Sequence, residues 1–96
     1  MDLSSIRERL AAVDAALVDA LAARQGLVRD VAKLKLEGGS ALRDLPREED
    51  VLTRAVERAR EAGVDGVLVT RLFREILGHS LRPQEAAPAS AGAGAL

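Results

Sequence analysis

Apolar residues recur at three- and four-residue steps along the first part of the chain, a spacing that places them on one face of a helix. The residues that share this face are Leu3, Ile6, Leu10, Val13, Leu17, Leu21, Leu27, Val31 and Leu34. Residues 4–37 contain no proline and a single glycine, Gly26. The pattern therefore predicts one long amphipathic helix that ends at the glycine pair 38–39. The candidate caps of its first turn are Ser5, in a capping box with Glu8, and alternatively Ser4 or Asp2.

A helix of this length extends beyond anything that the rest of the chain can form. It would be roughly 50 Å long, because each helical residue rises ~1.5 Å. A compact domain of this size is only about 30 Å across. In a single chain, the apolar face of the protruding part would remain in contact with water. We therefore expect a dimer in which two such helices cover each other.

The second helix is predicted to follow a loop at residues 40–45. Asp44 or Leu45 stands at its cap, Pro46 suits its first turn, and Gly63 ends it. The residues predicted to face inward from this helix are Val51, Leu52, Ala55, Val56, Ala59 and Ala62. A second amphipathic helix of ordinary length is therefore expected here.

The third helix is predicted to begin at a cap formed by Asp65 and to stop or kink at Pro83. The residues predicted to face inward from it are Val67, Leu68, Leu72, Phe73, Ile76 and Leu77. Residues 85–96 are Ala, Pro, Ser and Gly apart from their first and last positions, so we expect a disordered tail or an interdomain linker. The predicted architecture is an all-α domain of three helices over residues 1–84.

The composition excludes several classes of function. The net charge is −1 with acids and bases interspersed, which argues against a nucleic-acid interface. The chain has no cysteine and one histidine, so a disulfide framework, a thiol nucleophile and a zinc site are not expected. No apolar run approaches the ~20 residues of a membrane span, and no signal-peptide pattern is present at the N-terminus. We expect a cytoplasmic protein without membrane contact.

Three cations of the first helix have an unusual arrangement. Arg24 and Lys35 lie on one face, roughly 16 Å apart along the axis. Arg7 lies about 25 Å from Arg24 and is turned about 100° from it. It could approach Arg24 only from the partner in an antiparallel dimer. Taken one at a time, each is most simply interpreted as a solvated surface residue.

The order and spacing of these cations and of the other motifs along the chain are far more specific for one protein family than any single residue is. The motifs are Ile6-Arg7-Glu8-Arg9-Leu10, Val13-Asp14, Leu21-Ala22-Ala23-Arg24, Val31-Ala32-Lys33-Leu34-Lys35, Arg43-Asp44, Arg47-Glu48-Glu49 and Leu72-Phe73-Arg74-Glu75-Ile76, followed by Ser80 and Gln84. From Ile6 to Gln84, the chain resembles the AroQ class of all-helical chorismate mutases. The resemblance implies an intertwined homodimer that rearranges chorismate to prephenate in one pericyclic step. This reaction belongs to phenylalanine and tyrosine biosynthesis and requires no cofactor or metal.

The resemblance also implies a role for each matching polar residue. Arg24 and the partner subunit's Arg7 would hold the two carboxylates of chorismate. Lys35 would contact the ether oxygen and a carboxylate, and Gln84 would donate to the ether oxygen from the other side. Glu48 would accept a hydrogen bond from the ring hydroxyl.

The remaining positions would complete the wall of the site. The backbone near Asp44 would also reach the ring hydroxyl, and Arg47 and Ser80 would add polar groups. Val31 and Ile76 would supply apolar lining. Pro83 departs from a regular helix directly before Gln84, so a kink is expected to displace this glutamine.

Other functions are compatible with the same scaffold. An isochorismate pyruvate-lyase or an aminodeoxychorismate mutase is the nearest alternative, but Arg47, Glu48 and Ser80 favour the mutase. A non-catalytic regulatory or dimerisation module is another alternative, because domains of this class occur fused to other shikimate-pathway enzymes and the tail suits a linker. A plain antiparallel coiled coil is the third, and it gives no reason for these charged residues to coincide.

Overall fold

A computed structural model describes residues 2–39 and 44–81 of the chain. These residues form three α-helices and no strand: α1 spans Leu3–Gly38, α2 spans Leu45–Ala62 and α3 spans Gly66–Leu81. The prediction of an all-α fold with three helices is confirmed. The predicted kink at Pro83, the position of Gln84 and the tail at 85–96 lie outside the described residues.

Local side-chain chemistry sets both ends of α1. Asp2 caps the first turn, and its carboxylate accepts a hydrogen bond from the Ser5 backbone N–H at 2.8 Å. This hydrogen bond lowers the pKa of the Asp2 carboxyl below its ordinary value. At the other end, Gly39 adopts the left-handed conformation with a φ of 75°, and its N–H donates to the Leu36 carbonyl at 3.2 Å. Of the candidate caps, Asp2 is the one used, and the glycine stop is confirmed.

Aspartate caps and a glycine stop also set the ends of α2 and the start of α3. Asp44 caps α2 and accepts a hydrogen bond from the Arg47 N–H at 3.0 Å. Gly63 ends α2 with a φ of 73°, a conformation that glycine adopts without steric cost. Asp65 accepts a hydrogen bond from the Val67 N–H at 2.9 Å at the start of α3. The predicted caps of both helices are confirmed.

Helices α2 and α3 pack against each other as an antiparallel hairpin. A Cβ at Gly66 would lie 3.6 Å from Val56 Cγ1, so the start of α3 lies close to the middle of α2. Among the described residues, the buried apolar side chains are Leu52 and Ala59 of α2 and Ala32 of α1. The core is therefore small and aliphatic, as expected for a chain this short.

The prediction for the inward face of α3 was wrong in part. Val67, Leu68 and Leu72 are exposed in the single chain. The half-buried residues of α3 are Gly66, Val69, Thr70, Phe73, Ile76, Leu77 and His79. Apolar side chains cover a wide arc of α3, and packing on α2 selects which of them are covered. Val67 lies on the opposite side, with Arg71 and Arg74. Ala62 is also exposed, since it is the last residue of α2.

The N-terminal half of α1 protrudes from the molecule. The longest dimension is 55 Å, which matches the ~1.5 Å rise per residue along α1. The radius of gyration is 16.4 Å, against about 12 Å for a compact domain of this size. All residues from 2 to 23 are exposed, including the apolar side chains Leu3, Ile6, Leu10, Val13, Leu17 and Leu21. In the part of the chain that the structure describes, no helix combines the length and the apolar character needed to cross a membrane.

Candidate functional site

The C-terminal half of α1 carries the two cations singled out in the sequence. Arg24 and Lys35 are both half-buried, whereas every other charged side chain of α1 is exposed. Half-buried Val28 and buried Ala32 lie between them. Removal from water is costly for a cation, so the half-burial of these two side chains sets them apart from ordinary surface residues.

The two valines between Arg24 and Lys35 differ in exposure in the single chain. Val31 is 51% exposed in the single chain, and Val28 is the half-buried valine of this segment. The reason is helical geometry. Val28 lies about 40° around the helix from buried Ala32, whereas Val31 lies about 100° from it. On α3, Ile76 is half-buried, in agreement with a lining position.

The N-terminus of α2 carries a second group of polar residues. Glu48 is half-buried in the first turn, where the positive end of the helix dipole favours a carboxylate. Asp44 is exposed, and its carboxylate caps the helix. Arg47 is exposed and its Nη1 contacts Asp50 Oδ2 at 2.9 Å, so in the single chain its guanidinium lies along its own helix.

An open cleft of about 200 Å³ lies between the first turns of α2 and the last turns of α3. Its lining residues are Leu45, Glu48, Glu49, Leu52, Arg74, Leu77 and Gly78. Glu48 is the site residue that this cleft shares with the sequence-based prediction. Arg74 and Leu77 are residues to which the sequence analysis gave no role at the site. A signal for Arg74 was available, because its own helix carries no acidic residue three or four positions away.

Three predicted site residues lie away from this region or outside the described residues. Arg7 is exposed on the protruding half of α1, about 25 Å along the helix from Arg24. Ser80 is in the last turn of α3, but its side chain is not among the described groups. Gln84 lies beyond the described residues.

The described groups suit an anionic ligand that also carries a hydroxyl group. Arg24 can bind a carboxylate bidentately, and Lys35 adds a compact positive charge. Glu48 is an acceptor for a hydroxyl hydrogen. Within residues 2–39 and 44–81, there is no group of His, Asp and Glu side chains that could hold a metal ion.

Comparison with known families gives a match over nearly the whole chain. The family described as chorismate mutase type II matches residues 6–85. The chain belongs to this family. The resemblance to all-helical chorismate mutases that the sequence motifs indicated is thereby confirmed. The match includes α1, α2 and α3 together with every predicted site residue.

Curated relatives of this type II chorismate mutase chain are of two kinds. The bifunctional chorismate mutase/prephenate dehydratase of Escherichia coli (strain K12) is 36% identical over 84 residues, which are 88% of this chain and 22% of that protein. The protein of the same name from Buchnera aphidicola subsp. Schizaphis graminum is 30% identical over 84 residues. The chorismate mutase of Methanocaldococcus jannaschii is 27% identical over 78 residues, which are 81% of this chain and 79% of that protein. The chain thus spans about a fifth of the bifunctional relatives and most of the monofunctional one.

Proposed function

We propose that this chain is a chorismate mutase that rearranges chorismate to prephenate in the biosynthesis of phenylalanine and tyrosine. The observation that carries the proposal is the half-burial of Arg24, Lys35 and Glu48 within a family match over residues 6–85. These are three of the residues whose charges the reaction requires. A purely structural helix would have no reason to withdraw them from water.

The two negative charges of the substrate explain why the site needs arginine side chains. Chorismate is a dicarboxylate, and a guanidinium pairs with a carboxylate through two parallel hydrogen bonds. Arg24 would hold one carboxylate and the partner subunit's Arg7 the other. This clamp would keep the flexible side chain of the substrate folded over its ring, so that the two reacting carbons stay close together.

The bonds that break and form in the reaction explain why Lys35, Gln84 and Glu48 are needed at the site. A C–O bond breaks while a C–C bond forms, and negative charge develops on the ether oxygen. Lys35 and Gln84 would donate to this oxygen, which stabilises the transition state more than the ground state. Glu48 would accept a hydrogen bond from the ring hydroxyl, and the backbone near Asp44 would also reach this hydroxyl. The reaction needs no nucleophile and no proton relay.

Arg47 and Ser80 would complete the polar wall of the site. Arg47 would have to leave Asp50 to reach the ligand. Asp50 also accepts from Arg54 Nε at 3.1 Å, so it would retain a cationic partner after this rotation. The exchange is inexpensive, because exposed ion pairs contribute only about 0–1 kcal/mol.

We also propose a homodimer, with the second chain covering the protruding half of α1. Its support is the row of exposed apolar side chains from Leu3 to Leu21, which is larger than a monomer normally leaves in water. The dimer would be intertwined, with one site completed by each chain's Arg7. This arrangement explains how Arg7 could reach a ligand that Arg24 of another chain holds.

The proposal extends to the cellular location and the partners of the enzyme. We place the protein in the cytoplasm, where a small biosynthetic enzyme of this kind would operate. The names of the bifunctional relatives suggest a prephenate-consuming enzyme as a fused or separate partner.

The test is an assay of chorismate consumption by the purified 96-residue chain, with the product identified. Lys35→Ala is expected to reduce the rate about 1,000-fold with unchanged helicity by circular dichroism. Lys33→Ala is the matched control, because Lys33 is an exposed lysine two residues away, and it should leave the rate unchanged.

Each outcome separates the alternatives. Prephenate formed by wild type and by Lys33→Ala, but not by Lys35→Ala, supports the mutase. Release of pyruvate from isochorismate would instead indicate the lyase. Folded protein that leaves chorismate unchanged would contradict an autonomous enzyme and favour a regulatory module.

A further inference from the structure

The cleft between α2 and α3 contains a charged arrangement to which the proposed reaction assigns no role. Arg74 of α3 lines one side of it, and Glu48 and Glu49 of α2 line the other. Arg74 and two adjacent acidic residues therefore line the same open space of about 200 Å³. One of these carboxylates is the proposed acceptor for the ring hydroxyl of the substrate.

Three arginines of α2 pair with acidic residues of their own helix, unlike Arg74. Arg47 and Arg54 both contact Asp50, and Arg58 contacts Glu61 at 3.2 Å. Each of these pairs joins residues three or four positions apart on one helix, where such pairs form readily. These ion pairs therefore do not stabilise the packing of α2 against α3.

Arg74 has no such opportunity on its own helix. The residues three and four positions from it are Thr70, Arg71, Leu77 and Gly78. Glu49 is in the same situation on α2, where the corresponding residues are Leu45, Pro46, Leu52 and Thr53. Glu48 and Glu49 are the acidic residues that line the cleft together with Arg74. Gly78 leaves the space beside them open, because a Cβ there would meet no atom within 4 Å.

We propose that Arg74 is a positioning residue for Glu48, holding the Glu48 and Glu49 carboxylates from the α3 side of the cleft. A carboxylate has two oxygens and can accept several hydrogen bonds, so one oxygen of Glu48 can face Arg74 while the other faces the substrate hydroxyl. The planar guanidinium presents five donors and can bridge two carboxylates, which an ammonium group does less well. Arg74 itself would not touch the substrate.

The inference rests on the proposed mutase function and predicts a specific kinetic pattern. Arg74→Ala should lower kcat for chorismate about fivefold, the effect expected for one lost positioning hydrogen bond, and leave KM within about twofold. Arg74→Lys should give an intermediate kcat. Arg71→Ala is the matched control, because Arg71 is an exposed arginine of the same helix that does not line the cleft.

A double-mutant cycle distinguishes positioning from other roles. If Arg74 acts through Glu48, Arg74→Ala should have almost no further effect on kcat in a Glu48→Gln protein. An equal loss of kcat in that background would overturn the proposal, since it would indicate a general structural role. A rise in KM that persists there would also overturn it, because it would indicate direct binding of the substrate by Arg74.

Thermal unfolding of the same proteins gives a readout that does not depend on activity. Arg74→Ala should lower Tm by about 3 °C in wild type and by much less once Glu48 and Glu49 are both changed to Gln. Equal losses in both backgrounds would contradict the pairing. If wild type makes no prephenate but this coupling is found, the proposed function fails while the contact of Arg74 with the two acids stands.

Discussion

Arg24 and Lys35 lie on one face of α1, three turns apart, and they are the two half-buried charged residues of that helix. Val28 and Ala32 separate them, so the two cations project from an apolar strip. Their Cα atoms lie roughly 16 Å apart along the helix axis, which is more than one small anion spans. Their long side chains can converge on a dicarboxylate from its two ends, which gives each cation a separate role.

Substitution of Arg24 tests its assigned role in holding a carboxylate. Arg24→Ala should raise KM for chorismate at least tenfold, because a charge-assisted bidentate pair is lost. Arg24→Lys should recover only part of the affinity, since an ammonium group cannot make the paired hydrogen bonds. Steady-state kinetics with Arg29→Ala, an exposed arginine of the same helix, provide the control. An unchanged KM in Arg24→Ala would remove this residue from the site.

Contribution of Arg7 by the second chain can be tested by subunit complementation. Arg7→Ala and Lys35→Ala should each be nearly inactive as homodimers. In a mixed dimer, however, one site combines an intact Lys35 with an intact Arg7 from the other chain. Unfolding and refolding the two variants together in equal amounts should restore about a quarter of the wild-type sites, because half of the dimers are mixed and each has one intact site.

The control for this experiment mixes the two variants without unfolding them. Intertwined chains exchange slowly, so activity should then remain low at first. If Arg7 acted within its own chain, every site in every dimer would lack one residue, and no activity would return after refolding.

The ends of the helices could be predicted from the sequence because the responsible interactions are local. Asp44 and Gly63 act within one turn of the helix they terminate, through a side-chain acceptor and a left-handed φ. The same holds for Asp65 and Gly39. Such signals lie within a few residues of one another and need no knowledge of the tertiary structure.

The faces of the helices and the neighbours of Glu48 could not be predicted in the same way. The apolar side chains of α3 cover a wide arc, so which of them lie against α2 depends on how the two helices pack. The position of Arg74 opposite Glu48 likewise depends on the antiparallel hairpin. Residues 26 positions apart in the sequence become neighbours only through that packing.

The apolar face of the protruding half of α1 should decide the oligomeric state. Leu10 lines a shallow groove with Ile6, Arg9 and Val13. Leu10→Asp should convert the dimer to a monomer, because a carboxylate cannot be buried there without a partner. Ala15→Asp adds the same charge about 140° around the helix and should leave the dimer intact. Sedimentation equilibrium measures both, and a dimer that persists in Leu10→Asp would place the interface elsewhere.

The single glycine inside α1 should be a site of easy stabilisation. Gly26 lies in the interior of the helix, and a Cβ there would meet no atom of its own chain within 4 Å. Gly26→Ala should therefore stabilise each chain by about 1 kcal/mol, the difference in helix propensity between the two residues. Thermal unfolding at a fixed protein concentration should show a higher Tm. Ala23→Gly, at an exposed position of the same helix, should lower Tm by a similar amount.

Gly26→Ala also tests whether the second chain of the dimer packs against this part of α1. If the partner's helix lies against Gly26, the added methyl group would hold the two backbones apart and weaken the dimer. Tm would then fall and depend more steeply on protein concentration, because dissociation is coupled to unfolding. A higher Tm with an unchanged concentration dependence would show that Gly26 faces open space in the dimer as well. A lower Tm would instead identify Gly26 as a point of close helix contact between the chains.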